Sequence, residues 1–327
     1  MVSMHSEELS QSVPSGKISE TSVGIAGCAG FIGAHVTRRL LEAGYGVVGV
    51  DDFREDLYPA TYRRKVIESQ RGHPQFTFIE ADLVESVPDP LVDVDFVVNL
   101  AGLPGQGRSW EIPDRYHAVN TTVAGKLYEA AQVHGVRRFI QASTSSVYGE
   151  IADGDESQSI APCSPYGSSK ADGDALLLSL EKSDCPLVIL RLYSVYGPGQ
   201  RDDMGFFRII EAGLHGEIAP IHDRLGLARD FTYVGDVASA FEVALGPKIP
   251  AGIYHISSSM PFALSDVLVT ISAALDVPLR TRFIPTPQGL QTRTSGNTTK
   301  FRTVTSWRPT TSLKEGIALQ VAWQKTL

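Results

Sequence analysis

The sequence predicts an α/β fold with a doubly wound parallel sheet of the Rossmann type and a smaller, partly interleaved C-terminal substrate domain. Up to residue 192, strand-like apolar runs alternate with helical patterns, as in parallel sheets with crossover helices. A glycine-rich turn joins the first strand to the first helix. The chain has 327 residues, of which 43% are hydrophobic, so it can bury a full α/β core and a smaller unit beside it.

The first strand, helix and strand form one βαβ unit. Residues 23–26 are predicted as a buried strand, residues 31–43 as an amphipathic helix ended by Gly44, and residues 46–50 as the second strand. The further predicted strands are 76–79, 96–100, 138–143 and 187–192, and the predicted helices between them are 116–133 and 168–181. Glycine and proline become more frequent beyond that point, where the predicted helices are 206–215, 237–244 and 264–275.

These patterns divide the chain into three parts. Residues 1–20, rich in Ser, Glu and Gln, are predicted to be a disordered leader. The predicted Rossmann domain covers residues 21–193 and includes a return segment at about 229–257. The predicted substrate-binding domain combines residues 194–228 and 258–327.

The composition excludes several classes of function. The formal net charge of −8 is spread without long runs, which argues against binding to nucleic acid or to an anionic membrane. No apolar stretch approaches the ~20 residues that a bilayer requires, and the leader lacks the features of a signal peptide. Cys28, Cys163 and Cys185 have no paired spacing and no accompanying His cluster, so we expect a reduced, cytoplasmic protein without a metal site.

Three glycines, Gly27, Gly30 and Gly33, follow the first strand. A strand-to-helix turn of this kind leaves backbone N–H groups and the positive end of a helix dipole open to a pyrophosphate. We therefore predict that this turn, with Phe31 and Ile32 at the start of the helix, binds a dinucleotide. Short glycine patterns also recur by chance, so the turn alone does not decide the function.

Acidic residues follow two of the predicted strands. Asp51, after the second strand, can accept hydrogen bonds from both ribose hydroxyls of an adenosine and would repel a 2′-phosphate, which favours NAD over NADP. The neighbouring Asp52 belongs to the same predicted site, whereas Arg54 keeps NADP as an alternative. Asp82 and Leu83 are predicted to contact the adenine, although Asp82 fits a turn cap equally well.

Tyr166 and Lys170 lie one helical turn apart. Such a pair is usually a solvated helix face. A tyrosine can act as an acid and base only if its pKa falls from about 10 toward neutrality, and the Lys170 ammonium would favour that shift. The hydroxyl-rich run 143–146 ends the preceding strand, at the edge of a parallel sheet where ligands bind, although such runs are more often turns.

Longer segments around these residues resemble the extended short-chain dehydrogenase/reductase family, and within it the NAD-dependent nucleotide-sugar epimerases and dehydratases. The resemblance extends from about residue 21 over nearly the whole chain. It rests on the glycine turn, Asp51 and the segments Leu-Ala-Gly at 100–102, Ser-Thr-Ser-Ser-Val-Tyr-Gly at 143–149, Ser-Pro-Tyr-Gly-Ser-Ser-Lys at 164–170 and Arg-Asp-Phe at 229–231.

The resemblance implies a tightly held NAD, a nucleotide-sugar substrate and a set of functional residues. The implied catalytic trio is Thr144, Tyr166 and Lys170. The implied homodimer forms through the two helices that flank the Ser/Thr strand. The implied NAD contacts, besides the glycine turn, the aspartates and the trio, are Leu100, Ala101, Gly102, Tyr193 and Val195.

The residues after Thr144 distinguish the reactions within this family. Dehydratases carry an Asp-Glu pair there, and decarboxylating relatives carry a Glu at the second position. This chain has Ser145 and Ser146, neither of which is a strong acid or base. What remains is removal of the C4 hydride, rotation of the keto sugar and return of the hydride to its other face, which is 4-epimerisation.

Arg201 indicates a carboxylate on the sugar. The stretch 191–201 resembles that of UDP-glucuronate 4-epimerases, and a guanidinium can bind a carboxylate through two parallel hydrogen bonds. Oxidation at C4 makes the sugar a β-keto acid, so the carboxylate must be held out of alignment with the carbonyl. Ser145, Ser146, Ser194 and Arg201 are the predicted contacts; alternatively, Arg201 binds a phosphate or a surface acid.

Three departures from the family pattern concern the nucleotide part of the substrate. Gly107 occupies the place of the usual arginine and Arg108 follows it, and the turn 223–226 lacks the expected Gly-Asp-Gly. The segment 287–290 replaces the Arg-x-Gly-Asp that usually binds the diphosphate, although Arg229 is present. Other arginines that could compensate are Arg224, Arg280, Arg282 and Arg293.

The sequence therefore predicts an NAD-dependent 4-epimerase of a nucleotide sugar, with UDP-glucuronate as the predicted substrate and UDP-galacturonate as the product. Two other NAD-dependent enzymes remain open: a UDP-glucose 4-epimerase, and an oxidoreductase or keto-sugar-forming enzyme acting on an unusual nucleotide sugar or nucleoside. A non-enzymatic sensor that holds NAD is disfavoured by the intact Tyr166 and Lys170.

Overall fold

A parallel β-sheet lies at the centre of the protein in the computed structural model, which describes residues 21–55, 59–182, 184–222 and 228–327. The predicted leader and the turn 223–226 with Arg224 lie outside the described residues. The strands, in chain order, are β1 (Ser22–Ala26), β2 (Gly46–Asp51), β3 (Phe76–Glu80), β4 (Phe96–Asn99), β5 (Arg138–Thr144), β6 (Ile151–Ala152), β7 (Leu187–Leu192), β8 (Val195–Tyr196), β9 (Ile218–His222), β10 (Ala228–Asp230), β11 (Thr232–Tyr233), β12 (Gly252–Ile256), β13 (Pro261–Ala263), β14 (Arg280–Ile284) and β15 (Arg293–Thr294).

The helices connect and cover these strands. In chain order, the α-helices are α1 (Phe31–Glu42), α2 (Thr61–Arg71), α3 (Asp89–Val92), α4 (Gln106–Ser109), α5 (Pro113–His117), α6 (Val123–Val133), α7 (Pro165–Leu180), α8 (Gly205–Leu214), α9 (Val234–Ala244), α10 (Leu264–Leu275), α11 (Thr299–Thr305) and α12 (Leu313–Gln324). A π-helical turn, Ala118–Thr122, joins α5 to α6, and a 3₁₀ turn, Ser145–Tyr148, follows β5.

The central sheet of the described residues has seven strands in the order β12-β7-β5-β4-β1-β2-β3, and every neighbouring pair is parallel. The chain runs outward from β1 in one direction and then from β4 in the other, which is the doubly wound topology of a Rossmann fold. The predicted fold class is therefore confirmed. In such a sheet the ligand crevice lies beyond the carboxyl ends of the strands, where β1 and β4 meet.

Two apolar clusters cover the two faces of this sheet. On β4, Val98 belongs to one cluster and Val97 to the other, because side chains alternate between faces along a strand. The first cluster includes Leu40 of α1 and Phe241 of α9, and the second includes Leu127 of α6. Both faces of the sheet are thus buried, as parallel strands require.

A third apolar cluster lies among α8, α10 and α12. Its members include Ile210, Ile271 and Ile317, each fully buried. Three small sheets accompany it, and the largest has the strand order β13-β10-β15-β6. The domain boundaries given above stay predictions. Among the described residues, no helix has the length and apolar character needed to cross a membrane.

Several helix boundaries differ from those predicted. The helix predicted at 168–181 begins earlier, at Pro165, because Ser164 caps it: the Ser164 Oγ accepts a hydrogen bond from the Gly167 N–H at 3.1 Å. The helix predicted at 116–133 is interrupted by the π turn. Helices α2, α3, α4, α11 and α12 were not predicted. In α2 only Arg63 and Ile67 are buried, too few residues for a helical apolar pattern.

We expect Gly33→Ala to destabilise the protein. A Cβ at this position would lie 2.0 Å from the Gly27 carbonyl oxygen, a backbone atom that cannot move without opening the turn. The expected loss in the free energy of unfolding is about 1–3 kcal/mol, measured by urea unfolding. Gly72→Ala is the control, because Gly72 has right-handed helical angles and no atom within 4 Å of an added Cβ. Equal unfolding midpoints for the two variants would contradict this prediction.

Candidate active site

The glycine turn between β1 and α1 is tightly packed. Gly27 has φ +76°, and a Cβ there would lie 2.7 Å from the Ala101 backbone nitrogen. Its own N–H donates to the Val50 carbonyl at 2.8 Å. Since Gly33 also packs against the turn, both positions exclude a side chain.

The start of α1 fits a pyrophosphate. Gly30 is the N-cap residue; no side chain caps this end, and the first turn carries no acidic residue. An added Cβ at Gly30 would meet only the Gly27 carbonyl oxygen, at 3.4 Å, so the space above the helix end is open. Phe31 and Ile32 follow in the first turn and are partly buried. The free N–H groups and the helix dipole suit a phosphate anion.

Asp51 lies at the end of β2 beside this turn and is buried. Its carboxylate accepts hydrogen bonds from the N–H groups of Ala29, at 3.2 Å, and Phe53, at 3.0 Å. Arg63 of α2 forms a buried ion pair with it at 3.1 Å. Burial raises the pKa of Asp51, and the charge of Arg63 opposes that shift. Arg63 was not predicted, because α2 was not.

Asp52 and Asp82 lie on either side of Arg54, which forms ion pairs with both. Because two carboxylates already balance this guanidinium, Arg54 gives little support to an NADP site. Asp82 also caps a turn, since its Oδ1 accepts from the Val84 N–H at 2.9 Å. Leu83 is buried in the second apolar cluster. The cleft here has a volume of about 290 Å³ and is lined by Asp52, Arg54, Glu80, Ala81, Asp82 and Glu85.

The segment after β4 lies against the glycine turn. The Leu100 N–H donates to the Ala26 carbonyl at 2.9 Å, and the Ala101 N–H donates to the Asn99 side chain. A Cβ at Gly102 would lie 3.0 Å from the side-chain oxygen of Asn120. This part of the crevice therefore consists largely of backbone, which permits close approach of a ligand.

Asn120, in the π turn, was missed by the sequence analysis. Its side-chain oxygen accepts from the Leu103 N–H at 2.8 Å, and its amide nitrogen donates to the Ser169 hydroxyl at 2.9 Å. It thus connects the segment after β4 to α7. No local pattern marks Asn120, because both contacts are distant in sequence.

Tyr193 and Val195 follow β7. Tyr193 is buried, and its hydroxyl lies 3.3 Å from His255 Nδ1. Val195 pairs with Thr232 of β11, and the Ser194 carbonyl accepts a hydrogen bond from the Thr232 N–H at 3.0 Å.

The predicted trio comes together at the carboxyl end of β5. Thr144 is the last residue of β5, and its hydroxyl accepts from the Ser146 N–H at 3.1 Å. Tyr166 and Lys170 lie on the first two turns of α7. The Lys170 Nζ donates to the Ala142 carbonyl at 2.6 Å. Burial lowers the pKa of Lys170 to about 8.

Burial raises the pKa of Tyr166 above its ordinary value, while the hydrogen bond with Thr144 and the charge of Arg201 act against this shift. The spacing of Tyr166 and Lys170 predicted that the Lys170 ammonium lowers the pKa of Tyr166 toward neutrality. That expectation is wrong for the protein chain alone, because burial dominates and Lys170 points its ammonium at the Ala142 carbonyl.

A buried ion pair lies one helical turn beyond Lys170. Asp174, one turn further along α7, pairs with Arg191 of β7 at 3.1 Å, and both side chains are only 4% exposed. Asp174 also accepts from the Ser143 hydroxyl at 2.9 Å. Arg191 also donates a hydrogen bond to the Tyr148 hydroxyl at 2.7 Å. No role for Asp174 was predicted, since an acid four residues after a lysine also suits an exposed helix face.

Ser145 and Ser146, which follow Thr144, are buried in the 3₁₀ turn Ser145–Tyr148, which we call the serine turn. The Ser145 hydroxyl donates to the side-chain oxygen of Gln291 at 3.2 Å, and the Ser146 hydroxyl accepts from the side-chain amide of Gln106 at 3.5 Å. Neither glutamine was predicted, because both are far from the turn in sequence.

Arg201 lies near Gly105, in the segment after β4. One of its guanidinium nitrogens is 3.7 Å from where a Cβ on Gly105 would lie, next to Gln106, and its charge also acts on Tyr166. Its guanidinium forms two hydrogen bonds of 2.9 Å with Asp203. The sequence left open that Arg201 pairs with an acid of the protein, and Asp203 is such a partner. The Arg201 side chain is 10% exposed.

The loop before Arg201 rests on α1. His35 Nε2 donates to the Pro198 carbonyl at 2.8 Å, and a Cβ on Gly199 would lie 2.9 Å from the Tyr62 hydroxyl. Burial lowers the pKa of His35 to about 4, so the ring is neutral at physiological pH.

The remaining predicted arginines differ in their surroundings. Arg229 of β10 is partly buried and donates to the Gln291 carbonyl at 2.7 Å; burial lowers its pKa to about 10. Arg108 is exposed and pairs with Glu111. Arg293 pairs with Asp153 at 3.2 Å. Arg280 and Arg282 lie on β14 and are exposed.

Residues 23–256 match the profile of the NAD dependent epimerase/dehydratase family. The chain is 33% identical, over 93% of its length and 98% of the relative's, to the uncharacterized UDP-glucose epimerase YtcB of Bacillus subtilis. It is 30% identical to the UDP-glucose 4-epimerase of Mycolicibacterium smegmatis, over 91% and 96% of the two chains. The structure of UDP-glucuronic acid 4-epimerase from Bacillus cereus, in complex with UDP-glucuronic acid and NAD, superposes with a TM-score of 0.89 at 32% identity, over 93% and 99%.

We expect Asp174→Ala to lower the free energy of unfolding by about 3–5 kcal/mol, because it leaves the buried Arg191 without its counter-charge. Urea unfolding measures the loss. The matched control is Asp172→Ala, which removes the same charge from an exposed position of the same helix. A loss as small as that of the control would show that the ion pair does not hold α7 on the sheet.

Proposed function

Since the chain belongs to the NAD-dependent epimerase/dehydratase family, we propose that it is a 4-epimerase that interconverts UDP-glucuronate and UDP-galacturonate. The enzyme class, an NAD-dependent sugar epimerase, and NAD as its cofactor were predicted from the sequence and are confirmed. The observation that carries the proposed substrate is the Arg201 guanidinium, which lies beside Gly105 and whose charge acts on Tyr166. The Bacillus cereus structure supports it, because that protein was crystallised with UDP-glucuronic acid.

The cofactor residues fit NAD. We propose that the open end of α1 at Gly30 binds the pyrophosphate and that Asp51 accepts the adenosine ribose hydroxyls. The other proposed contacts are Gly27, Phe31, Ile32, Gly33, Asp52, Asp82, Leu83, Leu100, Ala101, Gly102, Tyr193 and Val195. Bound NAD would supply the hydride acceptor and donor at C4, and its positive nicotinamide would favour the phenolate form of Tyr166.

Tyr166 is the proposed acid and base. It takes the proton from the C4 hydroxyl as that carbon is oxidised and returns it after the keto sugar has rotated, so one group serves both directions. Thr144, at the end of β5, orients the hydroxyl. Lys170, whose pKa is about 8, is mostly cationic at neutral pH, and we propose that it stabilises the phenolate only once bound NAD favours that form, since in the protein chain alone its ammonium faces the Ala142 carbonyl.

The serine turn supports epimerisation rather than dehydration or decarboxylation. Ser145 and Ser146 occupy the positions beside the proposed C5 and C6, and neither can pull a proton from C5 or protonate a leaving group. We propose that the carboxylate lies among Ser145, Ser146, Ser194 and Arg201, which hold it away from alignment with the C4 carbonyl. Such an orientation prevents loss of carbon dioxide from the β-keto acid.

Arg229 is the proposed diphosphate contact. Among the described residues, no carboxylate forms an ion pair with it, and the hydrogen bond it makes goes to a carbonyl. A cation in such surroundings is stabilised by an anion that arrives with the substrate. Its position on β10 beside Gln291 would put the diphosphate at the far end of the serine turn.

A second candidate is a UDP-glucose 4-epimerase. Asp203 already balances the charge of Arg201, and a less positive pocket also suits a neutral C6 hydroxyl. The relative from Mycolicibacterium smegmatis carries that name. The homodimer and the cytoplasmic location stay predictions.

We expect the protein to convert UDP-glucuronate to UDP-galacturonate without release of carbon dioxide or free NADH. NMR of the sugar ring protons measures this conversion.

Tyr166→Phe should lower kcat by about 10²–10⁴-fold, because it removes the acid and base, while NAD stays bound. Tyr45→Phe, a tyrosine away from the crevice, is the control. Full turnover by Tyr166→Phe would contradict the assigned role, and an unchanged sugar with the wild-type protein would contradict the substrate.

We expect Arg201→Leu to raise the KM for UDP-glucuronate about 10–150-fold, the effect of losing a hydrogen-bonded contact to a charged group. The KM for UDP-glucose should change far less, because that substrate has no carboxylate. Arg137→Leu is the control, since Arg137 is exposed at the opposite end of β5. Equal changes for both substrates would mean that Arg201 does not read the carboxylate.

A further inference from the structure

We propose that Gln291 is a positioning residue that gives Ser145 and Ser146 different roles. It fixes the Ser145 hydroxyl as a hydrogen-bond acceptor toward the substrate and leaves Ser146 as the serine that donates to the sugar carboxylate. This inference rests on the proposed function, because it concerns the same carboxylate, and it refines the prediction that both serines contact it.

The Gln291 side chain is buried against the serine turn and is 4% exposed. Its amide nitrogen donates to the carbonyls of Ser145, at 3.1 Å, and Gly149, at 3.0 Å. Its side-chain oxygen lies 3.2 Å from the Ser145 hydroxyl oxygen. The whole amide is therefore occupied by the turn.

These contacts determine which way the amide faces. Both backbone carbonyls can only accept hydrogen bonds, so the NH₂ group of Gln291 must point toward them. The side-chain oxygen then faces Ser145, and an amide oxygen can only accept. The single hydroxyl proton of Ser145 is consequently committed to Gln291, and only its lone pairs remain for a substrate.

Ser146 has the opposite arrangement. Its hydroxyl lies 3.5 Å from the Gln106 amide nitrogen, and among the described residues no acceptor takes its hydroxyl proton, so that proton can be donated to a ligand. A carboxylate only accepts hydrogen bonds, and it therefore matches Ser146 and Arg201 but not Ser145. The lone pairs of Ser145 match a hydroxyl of the sugar instead.

Gln291 also connects the two ends of the proposed substrate site. Its backbone carbonyl accepts from the Arg229 guanidinium at 2.7 Å, and β15, two residues later, pairs with both β6 and β10. The serine turn precedes β6, and Arg229 lies on β10. One residue therefore sets the spacing between the serine turn and the arginine proposed for the diphosphate.

The test compares Ser145→Ala, Ser146→Ala and Gln291→Leu, alone and combined, in the NAD-loaded protein with UDP-glucuronate. We expect Ser146→Ala to raise KM about 10-fold or more, because it loses a bond to a charged group, and Ser145→Ala to raise it only about two- to fivefold, because its partner is an uncharged hydroxyl. Gln291→Leu releases the Ser145 proton, so Ser145→Ala in that background should raise KM by a larger factor. This non-additivity is a result that loss of folding alone would not produce.

Two results would overturn the inference. The first is a Ser145→Ala effect on KM as large as that of Ser146→Ala in the otherwise unchanged protein. The second is strict additivity of Ser145→Ala and Gln291→Leu in both KM and the urea unfolding midpoint, because the hydrogen bond between them exists without substrate.

Failure of the proposed function looks different. If the wild-type protein leaves UDP-glucuronate unchanged, the proposed substrate is wrong. The Ser145→Ala, Gln291→Leu and doubly substituted proteins are then compared by their urea unfolding midpoints alone. Non-additive midpoints support a Ser145 hydroxyl fixed by Gln291, and additive midpoints contradict it.

Discussion

The buried ion pair between Asp174 and Arg191 is the interaction on which the position of α7 depends. Asp174 belongs to α7, Arg191 belongs to β7, and Ser143 of β5 donates to the same carboxylate. The pair therefore fixes the helix that carries Tyr166 to both strands that end beneath it. Because two buried charges are costly to separate, the helix cannot slide along the sheet without exposing one of them.

The other half of the site is organised by backbone pairing rather than by charge. Strand β15 lies between β6 and β10, and so brings a segment from near the end of the chain against the turn that follows β5. The serine turn, which precedes β6, and Arg229, which lies on β10, are thus connected through one short strand. Their spacing therefore depends on the register of three short strands.

Much of the fold, including the glycine turn, could be predicted because its signals are local. The glycine turn, the strand before it and Asp51 lie within thirty residues of one another, and the spacing itself expresses the geometry. Asp174, Arg63 and Gln291 could not be predicted, since each acts on residues that only the folded chain brings near. The pKa of Tyr166 was predicted wrongly for a related reason: a spacing shows a neighbouring charge but not the burial that outweighs it.

The π turn at Ala118–Thr122 limits how the chain tolerates insertions and deletions. The π turn holds about one residue more than a turn of α-helix. Asn120 lies in this turn, and its side chain forms hydrogen bonds with the Leu103 N–H and the Ser169 hydroxyl. Deleting one residue would restore a regular helix but rotate everything before it by about 100°. Tyr116, whose ring lies 6.2 Å from that of Tyr166, would turn away from Tyr166. Homologous chains of this architecture should therefore vary in side chains here much more readily than in length.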